Sequence, residues 1–306
     1  MRRTRALCNE QTRFDLASVS KPLAVGMLAL RAMESGKLLP VGQAGYLHRR
    51  ARRQAGDHHR ADFDPYGGLS AGAAPVAAGP HTGAEHRADS GRTAGFPAGN
   101  PVQYSCTGFI LLRQLLECIY GLPLNELAPQ EVFWPLKMKN TSYLPAGGNI
   151  ASTEMQDDGF CLTGVVHDEN ARFLGGVSGN AGVFSTMDDL ALFVQMLAAE
   201  GELPDGSRYL CPATVRLSMQ NRTPGMAQGR GLGFALPWYE NGYTGDLFPK
   251  ETIGHTGFTG TSFSYDPTTG LYLIFLTNRV CPSREGTAIF RVRRLLHNAV
   301  YAAASV

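Results

Sequence analysis

A short apolar segment with a serine and a lysine at its mouth sets the terms for the rest of the chain. It reads Phe14-Asp-Leu-Ala-Ser18-Val-Ser-Lys21-Pro-Leu23 and runs on to Met33. Leu23, Met27 and Leu30 fall at i, i+4 and i+7, which predicts a helix over 22–33, and Gly36 stands where such a helix stops. Residues three apart share a helix face, so the Lys21 ammonium is expected beside the Ser18 hydroxyl. Serine alone is a poor nucleophile and needs an adjacent base. A lysine desolvated by apolar neighbours can give up its proton and act as that base. A helix start adds a positive end and amides able to receive an oxyanion. Pro22 suits a first turn, where a missing N–H costs little. Against this stands a plainer reading, in which Ser18 or Ser20 caps the helix and Lys21 is a solvated side chain. Only the remainder of the chain can decide between them.

Further along, apolar Ile110, Leu111, Leu115 and Ile119 with Gly121 beyond them predict a helix over 107–120. Residues 123–138 read as a shorter helix and loop, and 173–184 as tight glycine-rich loops. Ser185-Thr-Met-Asp-Asp189 is an N-cap with acids in the first turn, opening a helix that carries Leu190, Phe193, Val194 and Leu197. Another short helix is expected over 212–220. After Gly231 the period changes. Residues 231–239 and 251–256 read as strands, and 261–265 with 271–277 as a hairpin about Asp266-Pro-Thr-Thr-Gly270. An amphipathic helix over 283–301 closes the chain, with Ile289, Val292, Leu295 and Leu296 as its apolar side. Helices in the middle and antiparallel strands late make this an α+β chain rather than alternating βαβ units.

Composition excludes several classes. With 306 residues, 43% hydrophobic and 18% charged, the chain is long enough for a substantial core. A net charge of +2 implies neither nucleic acid nor a membrane surface as partner. No apolar run reaches the roughly 20 residues of a membrane span. The opening residues are basic but lack the apolar core of an export leader, so none is expected in the sequence as written. The six cysteines (Cys8, Cys106, Cys118, Cys161, Cys211 and Cys281) are scattered without metal-ligand spacing, and neither a metal nor another cofactor is expected.

One segment is out of character. Residues 41–95 hold only Val41, Leu47, Phe63, Leu69 and Val76 among Leu, Ile, Val, Phe and Met. They carry seven arginines against five acids, no lysine, and five of the eight histidines. The basic residues lack the interleaved aromatics of a nucleic-acid tract, and His58-His59 has no partner at ligand spacing. Two readings stand: a disordered insert, or a stretch translated out of frame.

Three elements then occur in order: Ser18-Val-Ser-Lys21, Tyr104-Ser-Cys106, and His255-Thr256-Gly257 before a strand pair. Here the chain resembles the serine β-lactamase-related hydrolases, which include class C β-lactamases, penicillin-binding DD-peptidases and allied esterases. The likeness extends over 14–38 and 101–299 of what is expected to be a single domain, 1–306. It takes in Glu131-Val-Phe-Trp-Pro-Leu-Lys-Met-Lys-Asn-Thr141 and Gly175-Gly-Val-Ser-Gly-Asn-Ala-Gly-Val-Phe-Ser185. The resemblance implies a β-lactamase/transpeptidase-like fold, an antiparallel sheet flanked by helices with a helical subdomain. It implies Ser18 as the acylated nucleophile, Lys21 as its base and Tyr104 as the proton shuttle to the leaving group. His255 would bind a substrate carboxylate or steady Tyr104. Thr256, Gly257 and Cys106 fall at substrate-binding positions, Gly257 giving close approach along the strand edge. The N–H groups of Phe258 and Ser18 match the oxyanion hole. The substrate class implied is a peptidoglycan-like peptide, a β-lactam or an ester. Members are often exported.

Four departures bear on activity. Only 17 residues precede Ser18, where the family places two or more strands of the main sheet, so those strands are expected to be missing. Residues 41–95 replace a region that in the family supplies a His-Thr-Ser-Gly element. Read one base later, codons for 63–68 can encode Leu-Thr-His-Thr-Gly-Gly, close to that element. Cys106 stands where the family has Asn or Asp, and a thiol is a weak hydrogen-bonder. Asn180 replaces a histidine of the similar subgroup, and His167 reads as a structural hydrogen-bonder. Two outcomes stay open: an active acyl-enzyme hydrolase, or an impaired member that at most binds.

Overall fold

The computed structural model describes residues 7–38, 104–226, 228–237 and 242–304, together with the backbone pairing of 63–64 and 68–69. Two compact units are present, Met1–Leu38 with Gln103–Val306 and, separately, Leu39–Val102.

The first unit begins with strand β1 (Phe14–Asp15), a 3-10 turn (Ala17–Val19), a wide π turn (Lys21–Gly26) and helix α1 (Met27–Glu34). The predicted helix therefore exists, but its first turns are irregular. Pro22 has no N–H to give, and the coil stays wide until the Met27 amide reaches back five residues to the Pro22 carbonyl. Leu23, Met27 and Leu30 are fully buried, as their spacing requires. Helix α2 (Cys106–Tyr120) is capped by the Ser105 hydroxyl, which accepts the Gly108 N–H, and ends at Gly121 in the left-handed conformation (φ 71°). Helix α3 (Leu124–Ala128) runs into a second π turn, Pro129–Phe133. Between them and the late strands lie β4 (Ser142–Tyr143), α4 (Glu169–Phe173), β5 (Val183–Ser185), α5 (Met187–Ala198) and α6 (Pro212–Met219). The cap of α5 is Thr186, whose hydroxyl accepts the Asp189 N–H, while Ser185 ends the strand.

Two small sheets frame the site. One has the order β1-β5-β4, all antiparallel. The other is the antiparallel meander β6 (Ile253–Thr256), β7 (Ser262–Tyr265) and β8 (Tyr272–Phe275), with His255 opposite Phe263. Its hairpin is closed by Asp266, which accepts the Thr268 N–H and hydroxyl. Helix α1 and α5 bury their apolar sides in one core with the meander. Phe263 meets Phe193 edge-on at 5.5 Å and Phe234 at 6.3 Å. Burying each such ring stabilises the fold by roughly 2 kcal/mol. Among the described residues ahead of Ser18, β1 is the strand present, and it pairs with β5 rather than with the meander.

Two expectations need correction. Residues 231–237 form no strand: Gly233 takes φ 88°, and Ala235 alone bridges to Gly254. The closing helix is α7 (Ala288–Ala304), and its buried side is Ile289, Arg293 and His297, with Val292 and Leu295 exposed. Arg293 donates to the carbonyls of Gly260 and Thr261, and His297 bonds the Ser264 hydroxyl at 3.0 Å. The sheet face beneath offers oxygens there, so polar side chains turn inward.

In the second unit the described pairing is β2 (Phe63–Asp64) with β3 (Gly68–Leu69), antiparallel. The insert and out-of-frame readings for 41–95 otherwise lie outside the described residues. No helix among the described residues is long and apolar enough to cross a membrane.

Candidate active site

Ser18 and Lys21 stand at the junction of the 3-10 turn and the π turn, and the irregular coil brings them together. Lys21 Nζ donates to Ser18 Oγ at 2.9 Å and to the Asn180 carbonyl at 2.9 Å. The lysine is wholly buried, with Nζ 4.8 Å from the centre of the Tyr104 ring. No carboxylate pairs with it among the described residues. Tyr104, just ahead of helix α2, donates its hydroxyl to Ser18 Oγ at 2.7 Å, a contact across 86 residues of chain. One serine oxygen thus meets an amine and a phenol at once. The contact with residue 180 is made by backbone, so having Asn in place of the histidine that the resemblance implies leaves it intact. The Asn180 side chain turns away, to Asp168 and Ser178.

His255 lies on β6 with its ring 6.2 Å from that of Tyr104. Its Nδ1 is 2.8 Å from the Thr256 carbonyl. A carbonyl only accepts, so Nδ1 carries the proton and Nε2 the lone pair. Burial, and then the charge of Lys21 with that of Arg230, outweigh the Thr256 bond and pull the imidazole down to about 3. His255 is therefore neutral at neutral pH. The expected cation for a substrate carboxylate is not at this position, because a third positive charge beside Lys21 and Arg230 is disfavoured.

A second cation beside the serine is Arg230, which no sequence motif marks. Its guanidinium lies 5.5 Å from the Tyr104 ring centre and donates one hydrogen bond within its own loop, to Gln228 Oε1 at 2.6 Å. It has no salt bridge among the described residues, and it is half-buried. Burial lowers its affinity for a proton, from a value so high that it stays charged. The signal in the sequence was an arginine between Gly229 and Gly231, just ahead of the stretch 231–239 that reads as a strand.

The remaining expected residues divide. Thr256 ends β6, and Gly257 opens the turn that follows, its N–H donating to the Thr261 carbonyl at 2.7 Å. The requirement for glycine at 257 comes from the protein itself. A Cβ there would collide with the Leu16 carbonyl and the Thr261 hydroxyl, so the close approach is between this turn and the Ser18 turn. Phe258 is held in that turn between the His167 ring, stacked at 5.6 Å, and the Arg279 guanidinium at 4.3 Å. Cys106 is the first residue of α2, half-buried, and its thiol makes no hydrogen bond to another described residue. His167 is buried and bonds Glu154 at 3.0 Å, in keeping with a structural role. The described residues contain no cluster fit to hold a metal ion.

The profile of the beta-lactamase family matches residues 1–298. The chain belongs to the beta-lactamase family. Among curated relatives it is 31% identical over 208 residues to an N-acetylmuramyl-L-alanine amidase of Bacillus subtilis, covering 60% of this chain and 46% of that protein. It is 32% identical over 200 residues to a D-alanyl-D-alanine carboxypeptidase, so named by inference, of Salmonella gallinarum, covering 58% of this chain and 45% of that one. The chain thus spans about half the length of the curated relatives it matches. Among solved structures, a penicillin-binding protein homologue of Caulobacter crescentus superposes with a TM-score of 0.69 at 19% identity, covering 99% of this chain and 86% of that one. The α+β, β-lactamase/transpeptidase-like fold expected for the family is the fold of this chain.

Proposed function

We propose that this family member is a serine hydrolase that works through an acyl-enzyme. The reading rests on one observation, the meeting of Lys21 Nζ and Tyr104 OH at Ser18 Oγ. Ser18 Oγ attacks an amide or ester carbonyl while its proton passes to Lys21, which acts here in its neutral amine form. The tetrahedral oxyanion is received by the N–H groups of Ser18 and Phe258. The C–N or C–O bond breaks as Tyr104 delivers a proton to the departing nitrogen or oxygen. Water then attacks the ester on Ser18 and frees the acid. Neutral His255, its ring 6.2 Å from that of Tyr104, steadies the phenol by packing, and Thr256 and Gly257 line the strand edge along which the substrate lies. Arg230 favours a substrate with a free carboxylate, a carboxypeptidase or penicillin-binding type over a simple esterase.

Incubation with a fluorescent penicillin or a fluorophosphonate, followed by peptide mass spectrometry, tests this. A stable adduct on Ser18, lost in Ser18→Ala, is expected. Labelling that survives Ser18→Ala overturns it. A second reading, an impaired member, is supported by Cys106, whose thiol is a poor substitute for an amide or carboxylate at the site's edge. Cys106→Asn that speeds labelling by about tenfold or more favours that second reading.

A further inference from the structure

Asp15 has no part in the chemistry just described, yet its hydrogen bonds reach the Ser18 turn, the turn after β6 and the His167 segment that packs on that turn. The residue is 2% exposed and has no salt bridge among the described residues. Its Oδ1 accepts the N–H of Ala17, the residue before Ser18, at 2.9 Å. Its Oδ2 accepts the N–H of His167 at 2.7 Å, and the His167 ring is the one stacked on Phe258. Its own carbonyl accepts the Thr259 hydroxyl at 2.7 Å, one residue beyond Phe258. The next carbonyl, Leu16, accepts the Thr261 hydroxyl at 3.0 Å. Ala17 is held at φ 46°, a left-handed conformation that costs a non-glycine residue about 1 kcal/mol and persists only where its surroundings impose it. The Oδ1 bond holds the N–H of that residue. A buried carboxylate with two backbone donors is a costly way to fill a strand position that an apolar side chain would fill without penalty.

We infer that Asp15 is a positioning residue that locks the Ser18 turn and the Phe258 turn in one register, so that the two amides facing the acyl oxygen keep their spacing. Resting on the acyl-enzyme reading, this assigns to Asp15 no contact with substrate. Donors to a developing oxyanion must sit within a few tenths of an ångström of their place, which makes a link between two distant turns consequential for rate and not for binding.

Asp15→Asn keeps the shape but provides one acceptor where two are needed. Hydrogen exchange of the intact chain should quicken in both segments, 14–19 and 256–263. Labelling by fluorescent penicillin, followed against concentration, should show the limiting acylation rate down about tenfold or more with half-saturation moved less than about threefold. Exchange that quickens in 14–19 alone, or an unchanged limiting rate in a folded variant, overturns the inference. If the Asn variant does not fold, Thr259→Val removes only the hydroxyl link to the Asp15 carbonyl and must give the same split, about threefold in rate. Should the parent chain take no label at Ser18, the acyl-enzyme reading fails, and the exchange experiment still decides the role of Asp15.

Discussion

Two clusters of charge in this protein, each with a buried member, are built on opposite rules. Around Glu154 every charge has an opposite. Glu154 bonds His167 at 3.0 Å and Arg284 Nε at 2.7 and 2.8 Å, and Arg284 reaches Glu169 at 2.7 Å. Burial by itself would raise Glu154, but the bonds and charge of Arg284 outweigh it and hold the carboxyl down at about 2. Around Ser18, Lys21 and Arg230 meet aromatic faces, a hydroxyl, an amide oxygen and a carbonyl, and no carboxylate among the described residues. The first cluster ties the 150–169 segment to the loop after β8 and is complete as it stands. The second is left positive, which a folded chain tolerates where an incoming anion or a proton transfer will use the charge.

Removing a member of each cluster should therefore have opposite consequences. Lys21→Met is expected to slow labelling of Ser18 by about 10³-fold while leaving the urea midpoint unchanged or raised, because it removes a buried amine that has no carboxylate beside it among the described residues. A lowered midpoint would put Lys21 in the same class as Arg284. Glu154→Ala leaves Arg284 and His167 facing each other with their shared carboxylate gone, and should cost about 3 kcal/mol in urea unfolding. A cost under about 1 kcal/mol would erase the distinction between the clusters. Arg230→Gln should lower kcat/KM about 30-fold for an acyl substrate bearing a free carboxylate and hardly at all for a neutral ester. Equal losses for both would remove Arg230 from substrate recognition.

The smallest effect concerns pH. Burial, then the charge of Lys21, depresses His255 to about 3, and burial depresses His297 to about 4. Their contribution to stability is present above the ordinary histidine value of 6.5 and drains away as the pH falls below it. Asp15 is shifted the other way, raised to about 6 by burial, against the bonds from His167 and Ala17. Its contribution is full below 3.8 and lost as the pH rises through 6, so it offsets part of the histidine loss in acid. Asp15→Asn should then steepen the fall in stability between pH 6 and pH 4 by about 1.4 kcal/mol per unit, read from urea midpoints across that range. An unchanged slope would mean that the carboxyl titrates alike folded and unfolded.

What could be read without coordinates was the periodic and the local. Leu23, Met27 and Leu30 announced a buried helix, and Gly121 and Gly270 marked a helix end and a hairpin, because these depend on near neighbours in sequence. Ser18 and Lys21, three apart, were already a pair. The order Ser18, Tyr104, His255 indicated the family, though not the contacts. Tertiary structure alone decided that the Tyr104 hydroxyl reaches Ser18 across 86 residues. It also decided that His255 is neutral, since desolvation and neighbouring charge are properties of a finished interior. Arg230 was hidden because its place beside Tyr104 is a contact between segments far apart in sequence, and the inward turn of Arg293 and His297 was hidden because the oxygens they bind lie on another element. The sequence by itself determined which side chains were available for chemistry. Which of them are left without an opposite charge, and which turns Asp15 joins, follows only from distant segments being brought within hydrogen-bond range.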